Sequence, residues 1–395
     1  MTAATLPGSP RIRTVLVAHP SAELYGSDRV LLESVSALTG RGHRVVVTLP
    51  VRGPLVAHLE ERGARVVIAP SPVLRKSALR PRGMIALLRE AFRGTVVGLA
   101  LLRKVRPHAV LVNTLTVPLW VLLARLRGVP VLVHVHEGES TASALARRVL
   151  AFPLLVANRV IANSRFSVDV LSSAFPRLAS TQVVYNGVPG PDSPQEARES
   201  LDGAMRVVYL GRLSARKGVD VAVDAVALLV GRGVPATLTL VGAVYPGYEW
   251  YEKQLRAQVL ELGLEGVVAF AGFRPSVWDE VAAADVVVVP SRVDEPFGNT
   301  AVEAVLAGRP VIASATSGLV EATAGYESAQ TVVPGDPAAL ADALLAVHTE
   351  WNRMRAAAWA DRSRAIDKHG PEVYRASIAR LVEEMTGRGR RRQDP

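Results

Sequence analysis

The sequence predicts an α/β protein built from two doubly wound, Rossmann-like domains, and three observations carry that expectation. Its 395 residues exceed what one hydrophobic core usually serves, since single cores stop growing at roughly 250–300 residues. Short β-branched runs alternate with helix-length amphipathic stretches from end to end, and continuous apolar runs of strand length belong to parallel sheets covered on both faces. Finally, residues 187–194 form a stretch rich in Gly and Pro with no periodicity, separating two sets of such runs.

In order, the first set of strands is expected at 14–18, 44–49, 65–69, 109–113, 131–134, 159–162 and 182–185. The second set is expected at 206–210, 237–241, 267–271, 285–290, 310–313 and 330–333, with helix from about residue 350 onward. These runs give an N-terminal domain over 1–186, a linker over 187–204, a C-terminal domain over 205–370, and a helix with a basic tail over 371–395. Open α/β sheets bind ligands beyond the carboxyl ends of their strands. A cleft between two such domains is therefore where chemistry is expected.

Composition narrows the partners. The chain is 49% hydrophobic and 21% charged, enough to bury sizeable cores. Lys and Arg outnumber Asp and Glu by 46 to 36, which favours anionic partners such as nucleotide phosphates or an acidic membrane face. Cysteine is absent, excluding disulfides, thiolate metal sites and a thiol nucleophile, and fitting a cytoplasmic location. The N-terminus lacks the pattern of a secretory signal. The longest uncharged stretch, 107–124, contains His108, Asn113, Thr114, Thr116 and Pro118. It reads as a strand, a turn and half a helix rather than a membrane span, so a soluble protein is expected.

Two constellations in the second half suggest phosphate and sugar chemistry. In the first, a strand runs into Gly211-Arg212 and then into Lys217-Gly218 at the start of a helix. Such a turn presents backbone N–H groups, a helix N-terminus and two cations to a phosphate; an ordinary loop with solvated bases is the alternative. In the second, Glu295 follows a buried strand and Glu303 lies eight residues on, inside a helix beginning near Gly298 or Asn299. Carboxylates there accept hydrogen bonds from sugar hydroxyls, and the N–H groups from Phe297 through Gly298 and Asn299 to Thr300 suit oxyanions. The apolar run after Glu303 argues against a wholly solvated side chain.

Together with the Glu295-Pro296-Phe297-Gly298 and Gly308-Arg309-Pro310 segments, Asn186-Gly187-Val188 and Phe270-Ala271-Gly272-Phe273, these motifs resemble the retaining glycosyltransferases of family four, which have the GT-B fold. The resemblance spans essentially the whole chain and is densest from Gln182 to Asp336. It implies a nucleoside-diphosphate sugar donor, UDP- or GDP-linked, held mainly by the C-terminal domain, and an acceptor hydroxyl held mainly by the N-terminal one. Arg212 and Lys217 would hold the diphosphate, Glu295 the sugar hydroxyls, and Glu303 the ribose. Base contacts would come through the backbone of Gly272, Phe273 and Arg274. The family works without a bound divalent metal or other cofactor and is described by a same-face displacement in which the leaving phosphate helps deprotonate the acceptor. No Asp-x-Asp motif occurs in the chain.

Three first-half features complete the picture. His134, His136 and Glu137 lie at a strand end, with the two imidazoles on one face. A metal pair, a structural cap and a contact with the donor sugar or acceptor are the alternatives, and the family pattern of His followed by an acid favours His136. Gly26 stands in the loop after the first strand, where many relatives carry a Gly-Gly pair and this chain has Tyr25-Gly26-Ser27. Gly26 is thus expected at a close approach to the donor, with Ser27 or Asp28 as a helix cap.

The segment from Arg75 to Arg106 combines nine Lys or Arg with leucines, Met84 and Phe92, as suits peripheral contact with an anionic membrane, where each base is worth about 1 kcal/mol. Nucleic acid is not expected, because Phe92 is the one aromatic available for stacking in this segment. A lipid-linked or cell-surface polysaccharide acceptor at the inner face of the plasma membrane follows as the preferred context. The competing readings are a GT-B phosphorylase or sugar-nucleotide epimerase, a His-x-His metallohydrolase, and a non-catalytic basic module binding membranes or polyanions.

Overall fold

The computed structural model describes residues 12–74, 81–138 and 140–388, with the backbone alone at 81, 82 and 388. Arg75, Lys76, Arg80 and the tail from 389 lie outside the described residues. The chain forms two compact units, Met1–Gly187 with Pro371–Pro395, and Val188–Gly370.

The first unit alternates β1 (Thr14–Ala18), α1 (Gly26–Thr39), β2 (Arg44–Leu49), α2 (Leu55–Glu61), β3 (Arg65–Ile68), α3 (Pro81–Val105) and β4 (Ala109–Val112). It continues through α4 (Leu119–Leu126), β5 (Val131–Val135), α5 (Ala144–Ala151), β6 (Arg159–Ala162), α6 (Arg165–Ala174) and β7 (Gln182–Val183). Its sheet has the order β3-β2-β1-β4-β5-β6-β7, and each neighbouring pair is parallel. β1 shows why these runs are apolar throughout. Val15 and Val17 enter one core, Leu16 and Ala18 the core on the opposite face, and all are fully buried. Right-handed crossovers put α1 and α2 on one face and α3 to α6 on the other, because the order reverses direction at β1.

The second unit contains β8 (Met205–Leu210), α7 (Val219–Gly231), β9 (Ala236–Val241), α8 (Glu249–Glu261), β10 (Val268–Gly272), α9 (Trp278–Ala283) and β11 (Val286–Val289). α10 (Asn299–Leu306), β12 (Val311–Ser314), α11 (Ser317–Thr323), β13 (Ala329–Val332), α12 (Pro337–Thr349) and α13 (Trp351–His369) follow. The parallel order is β10-β9-β8-β11-β12-β13, with the reversal between β8 and β11. Each run expected from the sequence holds a strand. The largest difference is β7, which ends at Val183.

Residues 188–204 carry no regular element but are built into the second unit: Ala197 is buried in its core, and Arg198 forms an ion pair with the buried Asp285 at 2.7 Å. The last helix, α14 (Pro371–Arg388), packs on α1 within the first unit. There Ile378, Leu381 and Val382 are buried, the Tyr374 hydroxyl meets Ser34 Oγ at 2.6 Å, and Arg375 pairs with Glu33 at 2.6 Å. Among the described residues no helix is long and apolar enough to cross a membrane.

Candidate functional site

In the second unit the reversal of strand order places the ends of β8 and β11 side by side, the position where doubly wound sheets take ligands. After β8 the chain turns at Gly211 and Arg212, and the Tyr209 hydroxyl donates to the Arg212 carbonyl at 2.8 Å. A 3-10 turn, Ala215–Lys217, then ends in Gly218 at φ 66°. Gly218 is required there twice over, by its left-handed backbone and because a Cβ would stand 1.9 Å from the Pro290 carbonyl oxygen. This close approach brings the turn against the chain leaving β11, where the Arg292 N–H donates to the Arg216 carbonyl at 2.9 Å.

The consequence is a contact that the sequence does not display. Lys217 Nζ lies 2.8 Å from Glu295 Oε1, and the Ser291 hydroxyl donates to the same oxygen at 2.9 Å. Arg216 stands 3.8 Å away. The Glu295 side chain is 10% exposed, against 31% for Lys217, so the carboxylate is held largely inside the loop while the ammonium is the more open to solvent. The Glu295 carbonyl accepts from the Gly318 N–H at 3.0 Å, which anchors the loop from its other side. Arg212 is exposed, with its guanidinium 5.2 Å from the centre of the Tyr245 ring.

The remaining expected residues distribute as follows. Gly298 precedes α10 at φ 135°, and Asn299 and Thr300 open that helix, half-buried. Glu303 follows in the next turn, also partly buried. Phe297 is turned into the core against His369, ring centres 5.4 Å apart, so only its backbone faces the loop. Gly272 ends β10 at φ 70°, and its carbonyl accepts from the Gly242 N–H at 2.8 Å. Phe273 is exposed, as is Arg274, which pairs with Glu280 at 2.8 Å.

In the first unit the strand reversal lies between β1 and β4, and a buried polar chain runs across it. Asp28 accepts from the Tyr25 N–H at 2.8 Å, the capping contact at the start of α1, and its other oxygen lies 2.7 Å from His19 Nε2. His19 Nδ1 faces Asn113 Nδ2 at 3.2 Å, and Asn113 Oδ1 faces His136 Nε2 at 3.0 Å. With the Asn113 amide nitrogen donating to its Nδ1, His19 presents its Nε2 proton to the Asp28 carboxylate. The Asn113 amide is thereby oriented, and His136 carries its proton on Nε2.

His134 goes elsewhere, to the Tyr374 hydroxyl at 3.1 Å, while the two imidazole centres stand 3.9 Å apart. The acid beside His136 is structural: Glu137 accepts from the Leu115 N–H at 3.2 Å, the His136 N–H at 3.0 Å and the Thr114 hydroxyl. Burial pushes its carboxyl up against these hydrogen bonds. Gly26 is the first residue of α1 and helical, without the positive φ expected of a loop glycine. The Asp28 cap starts the helix there, leaving no loop residue at that position. Among the described residues no group of three or more His, Cys, Asp or Glu is placed to hold a metal ion.

Burial, followed by the neighbouring His19, lowers the His136 pKa to about 3, and burial likewise lowers that of His369 to about 3. Both imidazoles are therefore neutral near pH 7. The unfolded chain takes up these protons near pH 6.5 and the folded chain does not, so this contribution is complete above pH 6.5 and is lost as pH falls toward 3. At pH 5 the loss amounts to about 2 kcal/mol for each imidazole. Denaturant unfolding at pH 7.5 and 5 is expected to show it, and His136→Gln should flatten the dependence; equal stabilities for the unsubstituted protein would contradict neutral burial.

The chain resembles known proteins over both units. Residues 25–189 match the family described as Glycosyltransferase Family 4, and residues 194–364 match Glycosyl transferases group 1. The 2-deoxystreptamine glucosyltransferase of Streptomyces kanamyceticus is 30% identical over 311 residues, covering 70% of this chain and 77% of that one. Glycogen synthase of Mycobacterium tuberculosis (strain CDC 1551 / Oshkosh) is 31% identical over 57% of this chain. The match spans 56% of that relative, so the chain accounts for about half its length. Among solved structures, Anabaena Alr3699/HepE in complex with UDP-glucose superposes with a TM-score of 0.79 at 24% identity, covering 94% of this chain and all of that one. Sucrose-phosphate synthase from Thermosynechococcus elongatus gives 0.72 at 19% identity, covering 95% of this chain and 100% of that chain. These two show the GT-B fold, and with the family matches they place this chain in glycosyltransferase family four, the glycosyl transferases group 1.

Proposed function

We propose that the protein transfers a sugar from a nucleoside-diphosphate sugar to an acceptor hydroxyl with retention of anomeric configuration and without a bound divalent metal. The observation that carries this reading is the Lys217–Glu295 pair at 2.8 Å beside the β8 and β11 strand ends. A cation and an acceptor carboxylate held together there suit the two halves of one donor. In this reading a diphosphate draws the ammonium away from the carboxylate, and Arg212 adds a second cation. Glu295, steadied by Ser291, then accepts from hydroxyls of the sugar, and Glu303 from the ribose. The Asn299 and Thr300 N–H groups face developing negative charge at the helix start.

As the anomeric bond breaks, charge builds on the departing diphosphate, and preorganised cations and N–H donors lower that barrier. A leaving phosphate oxygen takes the acceptor proton, so no protein base is required. His136, neutral in the first unit, contributes a hydrogen-bonding contact rather than an acid. UDP-glucose in the Anabaena protein favours a uridine donor, with guanosine the other candidate. The acceptor is a lipid-linked or cell-surface polysaccharide at the cytoplasmic membrane face.

Thermal shift with UDP, GDP and ADP tests the donor. The cognate nucleotide at a hundredfold excess over its Kd should stabilise the fold by about 2.7 kcal/mol. A melting point unmoved by every nucleoside diphosphate would overturn the proposal and favour a non-catalytic basic module. Turnover that needs inorganic phosphate would instead mark a phosphorylase, and interconversion without acceptor an epimerase.

A further inference from the structure

The helices α3, α4 and α5 lie in one layer, on the face of the first sheet opposite α1, α2 and α14. α3 packs on α4, α4 packs on the 3-10 turn Phe152–Val156, and α5 leads directly into that turn. Their inward residues, among them Leu102, Trp120, Leu123 and Leu154, fill the core beneath. What distinguishes the layer is its outer side. On α3, Ile85, Leu88, Phe92 and Val96 are 70%, 63%, 72% and 56% exposed. Their spacing of three, four and four residues puts them along one stripe of the helix. Leu126 on α4, then Leu145, Val149 and Phe152, continue the exposed apolar surface across the neighbouring helices.

The charges accompanying this surface are almost all of one sign. Arg89, Arg93, Arg103 and Lys104 stand exposed on α3, with Arg125 on α4 and Arg148 on α5. Glu90 is the one acid on these three helices. A protein partner or a second copy needs no such uniform sign, whereas phosphate headgroups do. Leucine and phenylalanine enter the acyl boundary while arginine and lysine stems reach back to the phosphates.

We infer that the outer side of the α3–α4–α5 layer docks the first unit flat onto an anionic bilayer, and that the contact extends well beyond the basic segment read from the sequence. This inference deepens the membrane setting proposed above but uses none of the residues assigned to donor binding.

The full chain should co-sediment with phosphatidylcholine vesicles containing phosphatidylglycerol, bind pure phosphatidylcholine at least tenfold more weakly, and lose affinity as salt rises. Leu88→Glu with Phe92→Glu on α3, and separately Leu126→Glu with Phe152→Glu on its neighbours, should each weaken binding at least tenfold. Circular dichroism and the thermal shift with nucleotide should remain unchanged in both, which separates loss of docking from loss of fold or of donor binding. A variant ending at Arg388 should bind as the full chain does. Equal binding to neutral and anionic vesicles would overturn the inference. So would full binding by the Leu126/Phe152 variant, or a concentration-dependent dimer abolished by the same substitutions.

Discussion

Lys217→Ala is expected to lower kcat/KM for sugar transfer by about 10²–10³, the usual cost of removing one preorganised group that meets developing charge. The ammonium is partly exposed and pairs with Glu295, so its removal should change stability by no more than about 1 kcal/mol. Activity and folding therefore separate cleanly in this variant. Because the two groups touch, Lys217→Ala and Glu295→Ala should combine non-additively, with a coupling energy on the order of 0.5–3 kcal/mol in a double-mutant cycle. Steady-state kinetics with the nucleotide sugar found by thermal shift would measure both. Undiminished transfer by Lys217→Ala would remove the diphosphate from this position.

Arg309→Met should act in the opposite way, on stability before activity. Arg309 is 1% exposed, and its guanidinium donates to six backbone carbonyls, those of Gln195, Val281, Ala282, Ala284, Ala307 and Gly308, at 2.8–3.2 Å. Three of these oxygens, on Ala282, Ala284 and Ala307, belong to the ends of α9 and α10, where helix carbonyls lack partners within the helix, while that of Val281 also accepts from the Ala284 N–H. Methionine fills much of the volume and satisfies none of them. Each stranded buried acceptor costs about 1–3 kcal/mol, and partial relaxation should leave a net loss of about 3–5 kcal/mol. Denaturant unfolding of the second unit would read it directly. A loss below about 1 kcal/mol would mean that these carbonyls find water instead.

The contrast between these residues shows what a sequence can and cannot disclose. The strands were legible because a parallel sheet covered on both faces needs apolar residues at every position, and 207–210 or 286–289 satisfy that without help from elsewhere. The glycines and bases around Gly211 and Lys217 were legible as a turn, and Glu295 as a loop acid. Their meeting was not, because Lys217 and Glu295 are far apart in sequence and only the reversal of strand order makes β8 and β11 neighbours.

The Asp28–His19–Asn113–His136 chain was hidden for the same reason. Its members follow β1, β4 and β5, and no spacing rule links them. That Gly26 opens α1 is not visible in a likeness to a Gly-Gly loop, because the Asp28 cap decides locally where the helix begins. For Arg309 the sequence offered only a base after a helix and a glycine. Nothing in that pattern distinguishes a solvated arginine from one that holds two helix ends.

The return of α14 to the first unit bears on how the molecule is made. Tyr374, Ile378, Leu381 and Val382 help fill a core whose other walls come from residues between Val15 and Val184, yet they leave the ribosome after the entire second unit. Domains generally settle in the order of their synthesis. Here the earlier one must wait, with α1 and the His134 side chain uncovered, until the second unit and α14 have both been made. The later one has all its residues in a single continuous stretch and can finish first.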